Sequence, residues 1–600
     1  MAGKFISERN LRFLLYEVLD LEELTGFPYF SDHGREVFDL VLDTAQRIGR
    51  DLLLPAHREM DRNPPQFEAG RIMVHPVVRR FMRECGEGGW ISAQAPYELG
   101  GQQLPLTVVA AGTFIFGAAN YSASVYPMLT MGAAHLLEAF GSTRLKETYL
   151  PPLFEGRWQG TMALTEPQAG SSLADVATQA EPEPAGFYRL KGQKVFISAG
   201  EHDGVDNVVH LLLARIKGAP PGVKGISLFV VPKLRIEDGG LVPNDLDCAG
   251  LFHKLGYRGA PITHLVLGDR GDCRGFLVGE PHQGLRYMFQ MMNEARIEVG
   301  LGAAAIASAA YHASLEYARQ RPQGRRITDK DPTLPPVPII EHADVRRMLL
   351  FQRAVVEGSL ALLLQCTKYY DLIRVTDGAE REKYRLLLDL LTPVAKTYPS
   401  ETGLLSVSAG LQVLGGYGYC DEFPLEQHFR DMRIHPIHEG TTGIQGLDLL
   451  GRKVVMKNGQ ALVVFLEELK NTIRAAAKDP VLEPLAHRLE VALERLEKVT
   501  THLAGLALAG RLELFLADAT LYLELFSLIA VAWQWLRQGL ALQKGLKGRP
   551  SEAEARFYEG KLYTLKYFYK YELPRTAGLA ERLLDSDGLT LEAVSELFGD

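Results

Sequence analysis

The sequence predicts a mainly α protein with a central β domain and an additional helical domain after the last expected helix of the main body. Two observations lead to this fold class. Helical periodicity gives way to short β-branched and aromatic runs and then returns, and it continues well beyond the point where an α–β–α body would end. Six hundred residues are also too many for one ordinary core, so several packed domains are expected.

Residues 1–158 read as helical. The opening "MAGKFISERNLRFLLYEVLDLEEL" carries charges throughout and reads as an amphipathic helix, not as a secretory signal. In "EVFDLVLDTAQRIGRDLLLPAH", Val37, Leu40, Val41 and Ala45 follow the three-and-four spacing of a buried face. Between Gly100 and Leu137 there is no Asp, Glu, Lys or Arg. Pro105, Gly112, Gly117, Pro127 and Gly132 punctuate that segment, which predicts short core helices and no membrane span.

Residues 159–283 read as β, with strands expected in "GFYRLKGQKVFISAG", "NVVHLLLARI", "GISLFVVPK" and "HLVLGD". Residues 284–454 return to helix apart from the loop "DKDPTLPPVPII", and residues 455–600 form the additional helical domain, with "AAAKDP" as a candidate boundary. The apolar "LFSLIAVAWQWL" is too short to cross a bilayer and is bracketed by Glu524 and Arg537. Trp533, Trp535, Phe557, Tyr558, Tyr563, Tyr567 and Tyr569 read as core and interface. This order is not the strand–helix alternation of a doubly wound sheet. "VGLGAAAIA" around Gly300 matches G-x-G-x-x-A but lies inside a helical pattern with no strand before it, so it reads as close helix packing.

Composition narrows the function. A net charge of −8 offers no broad attraction to polyanions, which argues against nucleic acid. Cys85, Cys248, Cys273, Cys366 and Cys420 are scattered and lack C-x-x-C spacing, which fits a reducing cytoplasm and neither a disulfide framework nor structural zinc.

The chemistry concentrates in "RIHPIHEGTTGIQ", residues 433–445. Thr442 and Gln445 have capping-box spacing ahead of Ile444, Leu447, Leu449 and Leu450, so a helix should start there with solvated histidines before it. Glu439 then sits on an ordered turn, and Gly440 leaves room for a ligand at both carboxylate and backbone amide. A metal site would need His435, His438 and Glu439 to converge, and Pro436 weakens that reading. From the residues alone, Glu439 is a surface charge or a base.

"MALTEPQAGSS", "KGQKVFISAG", "GLQVLGGYGY" and "RDMRIHPIHEGTTGIQ", in this order, resemble the signature blocks of the acyl-CoA dehydrogenase flavoenzymes. The likeness covers roughly residues 35–455, and the added domain resembles the long bacterial branch that includes methylthiopropanoyl-CoA dehydrogenases. The resemblance implies FAD as cofactor, an acyl-CoA substrate, an electron-transferring flavoprotein as electron acceptor and a homodimer. It implies that Met162, Leu164, Thr165, Gly170, Ser171, Phe196 and Ser198 surround the isoalloxazine. It implies further cofactor contacts at Thr441, at Gln412, Gly415 and Gly416, and at Arg321 and Gln323 reaching from a neighbouring subunit. In "ARQRPQGR" the aromatic that usually separates the glutamine from the glycine is missing. Ser171, Arg296 and Gly440 are the implied substrate contacts, and Glu439 the base that removes the α-proton while hydride leaves the β-carbon. Burial would raise its pKa. Alignment on Arg296 puts Ala295 where some relatives carry their base, which leaves Glu294 structural; His438 stands where tyrosine is usual. The alternatives are an acyl-CoA oxidase and a non-catalytic DNA-binding flavoprotein; acyl chain length is not legible.

Overall fold

The computed structural model describes residues 3–68, 70–328 and 331–599, and leaves the side chains of residues 289–292 undescribed. The chain divides into two compact units, one essentially Pro28–Glu298 and the other Lys4–Phe27 with Val299–Asp600.

In the first unit, helix α1 spans Arg35–Ile48. Its buried face is Phe38, Leu42, Ala45 and Ile48, one position away from the expected stripe, while Val37 and Leu40 are exposed. Both registers satisfy helical spacing, and the aromatic Phe38, with more apolar area than Val37, decides which face turns inward. Helix α2, Leu106–Phe140, is one long run broken once, at Asn120 (φ −164°, ψ 96°), and is not divided into the expected short pieces. The Asn120 side chain holds the break by accepting from the Ala123 amide and donating to the Leu53 carbonyl. Gly112 and Gly117 do not interrupt α2, and at Gly112 close packing leaves no room for a side chain: a Cβ there would lie 2.7 Å from the Trp90 ring.

The β region carries β1 (Trp158–Ala163), β2 (Gln179–Pro182), β3 (Tyr188–Ser198), β4 (Asn207–Ile216), β5 (Ile226–Pro232), β6 (Leu246–Leu251), β7 (Ile262–Leu267) and β8 (Arg274–Leu277). The path is β6-β7-β3-β8-β5-β4-β1, with β2 pairing both β3 and β4. Pairing is antiparallel except for β1 and β2 against β4. Because β2 links β3 to β4, the strands β3, β8, β5, β4 and β2 close into a ring around Leu190, Leu212, Phe229 and Val231. Leu211 and Leu213 on β4 are buried as well, so this strand is covered on both faces and its sequence is a continuous apolar run. Helix α3, Gly284–Gln320, follows.

In the second unit, α4 (Ala343–Val375) and α5 (Gly378–Leu414) are joined by a two-residue connection and pack together as a helical hairpin. They are followed by α6 (Thr442–Asp448), α7 (Met456–Ala476), α8 (Glu483–Leu508), α9 (Ala519–Lys547) and α10 (Glu552–Tyr567). Helix α9 is the central element of the C-terminal part: Trp533 and Trp535 are fully buried, and the Trp535 indole donates to the Ala354 carbonyl of α4 at 3.2 Å. Tyr558, Tyr567 and Tyr569 are buried as expected, but Tyr563 is 66% exposed. Helices α2, α4 and α9 are long and apolar enough to cross a membrane by composition, and 94%, 83% and 83% of their most apolar stretches are buried inside the fold.

The N-terminal segment is not one amphipathic helix. An α-turn (Glu8–Arg12) runs into a π-helical stretch (Phe13–Val18), and Asp20 (φ 49°) breaks it before a 3₁₀ stretch at Leu21–Gly26. Asn10 in this segment accepts from the ammonium of Lys561, at 2.5 Å, and Lys561 also binds Glu357 at 2.7 Å. Lys561 is wholly buried, with Phe13 and Trp535 rings over its charge. Burial costs this charge much of its solvation, and Glu357, the Asn10 amide oxygen and the two ring faces offset that cost.

Gly300 confirms the packing reading of "VGLGAAAIA". Pro399 lacks an N–H, so the carbonyl of Ala395 on α5 has no partner one turn ahead and faces α3 instead, where a Cβ on Gly300 would lie 2.1 Å from it. Helix propensity alone says Gly300→Ala should stabilise by about 1 kcal/mol. The contact reverses the sign, and we expect a net loss of about 1–3 kcal/mol in equilibrium urea unfolding. A gain would show that α3 and α5 can separate at no cost.

Candidate active site

In the first unit, the residues expected around a flavin are brought together where β1 ends beside β3. The Thr165 carbonyl accepts from Val195 at 3.0 Å, and the Leu164 carbonyl accepts from the Lys194 ammonium at 2.9 Å. Lys194 also pairs with Glu166 at 2.7 Å, and both side chains are buried. Glu166 in turn accepts from the Thr178 hydroxyl and from the amides of Ala177 and Thr178. Burial raises the Glu166 carboxyl, but Lys194 and these donors outweigh it and hold the group below the ordinary carboxylate range, while burial brings Lys194 down to about 8. The pair fixes the loop on which Gly170 and Ser171 are exposed, and a Cβ on Gly170 would meet nothing within 4 Å. Neither Glu166 nor Lys194 was singled out from sequence.

Phe196 has φ 59°, is 60% exposed and packs against Phe252 with the rings tilted and their centroids 4.6 Å apart. A bulky residue in the left-handed region is held by its surroundings, and such strain collects at ligand sites. It coincides with the irregular register between Thr263 and Leu265 in the β7–β3 ladder, while Ser198 pairs with Ile262. Met162 and Thr165 are partly exposed, and Leu164 is buried. On α3, Arg296 is buried, and Glu294 is engaged by His135 of α2 at 3.0 Å.

In the second unit, Glu439 is exposed on a turn that α5 holds from behind. Lys396, wholly buried on α5, donates to the carbonyls of His435 at 2.7 Å and His438 at 3.4 Å. Glu401, further along α5, accepts from the Thr442 hydroxyl at 2.5 Å. Gly440 has φ 72°, the left-handed conformation glycine adopts most readily. The expected capping box is displaced. The N-cap of α6 is Thr441, with no side-chain cap, and Thr442 is the first helical residue, its hydroxyl committed to Glu401. Gln445 donates from its side chain to the Gly440 carbonyl at 2.9 Å, and so braces the turn in place of capping the helix.

Neither histidine is the solvated ring expected: His435 is buried, and His438 is half-buried with its Nε2 out of solvent. His435 is wholly buried with Nδ1 on the Met432 carbonyl, and His438 lies edge-on to it with ring centroids 5.8 Å apart. Burial first, then Lys396, holds His438 down at about 4; burial, His438 and Lys396 push His435 well below its ordinary value. Both are therefore neutral at pH 7, and these rings serve packing.

The remaining residues lie elsewhere in this unit. Gln412 and the exposed Gly415 and Gly416 are at the C-terminal end of α5, with Gln412 16 residues past Lys396 and thus about 24 Å along the helix. Gly415 has φ 61°, and a Cβ on either glycine would meet nothing within 4 Å. Arg321 and Gln323 are exposed on a short hairpin, closed by Gln323 N–H to Val337 and Ile339 N–H to Arg321, and the Arg321 guanidinium lies 5.8 Å from the Tyr417 ring.

The neutral histidines give a pH signature. The folded state disfavours protonation of His438 between its folded value near 4 and the ordinary 6.5, so the unfolded chain binds the extra proton there and stability falls as pH drops through that window. His438→Asn should flatten the stability-against-pH slope between pH 6.5 and 4 by about one proton, roughly 1.4 kcal/mol per pH unit. An unchanged slope in urea titrations would show that His438 titrates freely.

Four family profiles match consecutive parts of the chain: "Acyl-CoA dehydrogenase, N-terminal domain" at residues 36–157, "middle domain" at 161–269, "C-terminal domain" at 282–454 and "Acetyl-CoA dehydrogenase C-terminal like" at 465–593. The chain is 36% identical over 590 residues to the 3-methylmercaptopropionyl-CoA dehydrogenase of Ruegeria pomeroyi, covering 98% of each. It is 32% identical over 604 residues to a butyryl-CoA dehydrogenase of Syntrophomonas wolfei, again with 98% of each covered. Its fold matches an acyl-CoA dehydrogenase of Bacillus anthracis crystallised with FAD, with a TM-score of 0.74 at 21% identity over 100% of this chain and 93% of that one. With the β-region loop and the glutamate turn already in place, these matches establish that the chain belongs to the acyl-CoA dehydrogenase family of flavoprotein oxidoreductases.

Proposed function

We propose that the protein is an FAD-dependent dehydrogenase converting a saturated acyl-CoA thioester to its trans-2-enoyl-CoA, with electrons passed on to an electron-transferring flavoprotein in the cytoplasm. The observation that carries this reading is Glu439: an exposed carboxylate on a turn whose backbone is fixed by Lys396 and Gln445, with Gly440 beside it.

The residues present fit FAD. Gly170, Gly415 and Gly416 offer backbone with open space above it, and Phe196 presents an aromatic face next to the loop that Lys194 and Glu166 fix. Met162, Leu164, Thr165, Ser171 and Ser198 would hold the flavin, and Gln412, Gly415, Gly416 and Thr441 other parts of the cofactor. Arg321 and Gln323, exposed on their hairpin, are available to a second copy in a homodimer, where the planar guanidinium suits a pyrophosphate. Bound FAD would supply the electron sink for the β-hydride and a further donor for the thioester oxygen.

This chain's own part is to hold the acyl chain and move one proton. The Glu439 carboxylate takes the α-proton. Its backbone amide donates to the thioester oxygen as negative charge develops there, in the manner of an oxyanion hole. Gly440 keeps side-chain bulk away from that contact. Loss of a proton from Cα and a hydride from Cβ leaves the enoyl thioester.

The test is anaerobic bleaching of the bound flavin with butyryl-CoA, 3-methylmercaptopropionyl-CoA and longer straight and branched thioesters. Glu439→Gln should slow bleaching by about 10²–10⁴-fold while flavin content stays unchanged. Equal rates in the mutant would remove Glu439 as the base. Peroxide formed at the turnover rate in air would replace the dehydrogenase by an oxidase.

A further inference from the structure

Lys396 carries a further role in the site just proposed, and the argument rests on the reading of Glu439 as base. A buried ammonium is costly and persists where strong acceptors surround it. Here two acceptors are main-chain carbonyls of the turn itself, those of His435 at 2.7 Å and His438 at 3.4 Å. The second of these is informative. The carbonyl of His438 and the N–H of Glu439 belong to one peptide unit, and the described chain has no cis peptide bonds. In a trans peptide the C=O and the N–H point in opposite directions. The carbonyl faces Lys396, so the amide of Glu439 points away from α5.

We propose that Lys396 is a positioning residue that polarises the peptide between His438 and Glu439, so that the Glu439 amide becomes a stronger donor to the thioester oxygen of the substrate. A cation on the carbonyl oxygen draws electron density from the peptide nitrogen and makes its N–H more acidic, as along a chain of hydrogen bonds. The same contact with His435 fixes the start of the turn, so charge and orientation come from one group. Around it, the rings of His435 and His438 pack edge to face, Ser400 donates to the carbonyl of Lys396 itself, and Glu401 accepts from the Thr442 hydroxyl. The role is absent from the sequence motif because Lys396 sits in "PVAKTYPSE", some forty residues before the glutamate it serves.

The experiment reads the carbonyl directly. Butyryl-CoA labelled with ¹³C at the thioester carbon is bound to FAD-loaded Glu439→Gln protein, which holds the ligand without turning it over, and the carbonyl band is recorded by isotope-edited infrared difference spectroscopy. The band should shift down on binding, and adding Lys396→Met should remove about a fifth or more of that shift. With Glu439 intact, Lys396→Met should lower kcat about tenfold with KM little changed, since the interaction strengthens as the enolate charge develops. Lys396→Gln retains a neutral donor for the two carbonyls and should fall between the two, and it serves if the methionine variant does not fold. An unshifted band together with wild-type kcat overturns the proposal. A loss of kcat that only follows flavin content, with the band unmoved, overturns it too by making Lys396 a folding residue. Wild-type turnover by Glu439→Gln alone would refute the base assignment, a result separate from the band shift.

Discussion

The contact on which the glutamate turn depends is the ammonium of Lys396 against two main-chain carbonyls. Residues 433–441 form irregular backbone between two helices, and such backbone keeps its shape only if its polar groups have partners. Lys396 and Glu401 reach it from α5, Gln445 reaches it from α6, and Pro436 accepts from the Thr442 amide. The loop that carries the proposed base is thus held by side chains on rigid helices. The loop after β1 is built in the same way, by a buried Lys–Glu pair that takes up main-chain donors and acceptors on both sides. In both places a lysine within an apolar environment acts on backbone carbonyls.

Helix α5 links several of these constraints. Pro399 removes the donor that Ala395 would have used, the freed carbonyl sets how closely α3 can approach, and Gly300 is the residue that accepts that approach. Lys396 is the residue next to Ala395. The close packing of α3 on α5 and the shape of the glutamate turn therefore meet within two residues of one helix, and a change in either is felt by the other.

Much of this was legible in the sequence. The strands over Tyr188–Ser198, Asn207–Ile216 and Ile226–Pro232 announced themselves because β-branched runs bounded by Gly, Pro and Asp have few other conformations open to them. The start of α6 was legible from Thr442 and Gln445, but the bonding was not, because capping-box spacing does not reveal that a carboxylate from α5 will compete for the threonine hydroxyl. The inward face of α1 depended on which of two registers met the core, and periodicity alone does not fix a phase. Helix α2 looked like several pieces because glycine and proline are read as breaks, whereas tight contacts such as Trp90 on Gly112 make the absence of a side chain favourable. Lys396 and Lys194 gave no signal, since a lysine on a helix or a strand reads as solvent-facing until the fold surrounds it.

The contact between Asn10 and Lys561 bears on the order in which the protein can be made. These residues are 551 positions apart, and Lys4–Phe27 belongs with the C-terminal unit although the whole of Pro28–Glu298 is synthesised between them. At roughly 5–20 residues per second, the N-terminal segment waits about 30 to 110 s for the helix that carries its lysine. During that interval Phe13, Leu14 and Leu15, all buried in the finished fold, have no native place to go, while the β-containing unit has its entire sequence. Lys4–Phe27 are thus made well before the helices they pack against, and they can complete the C-terminal unit only after that later part of the chain has been synthesised.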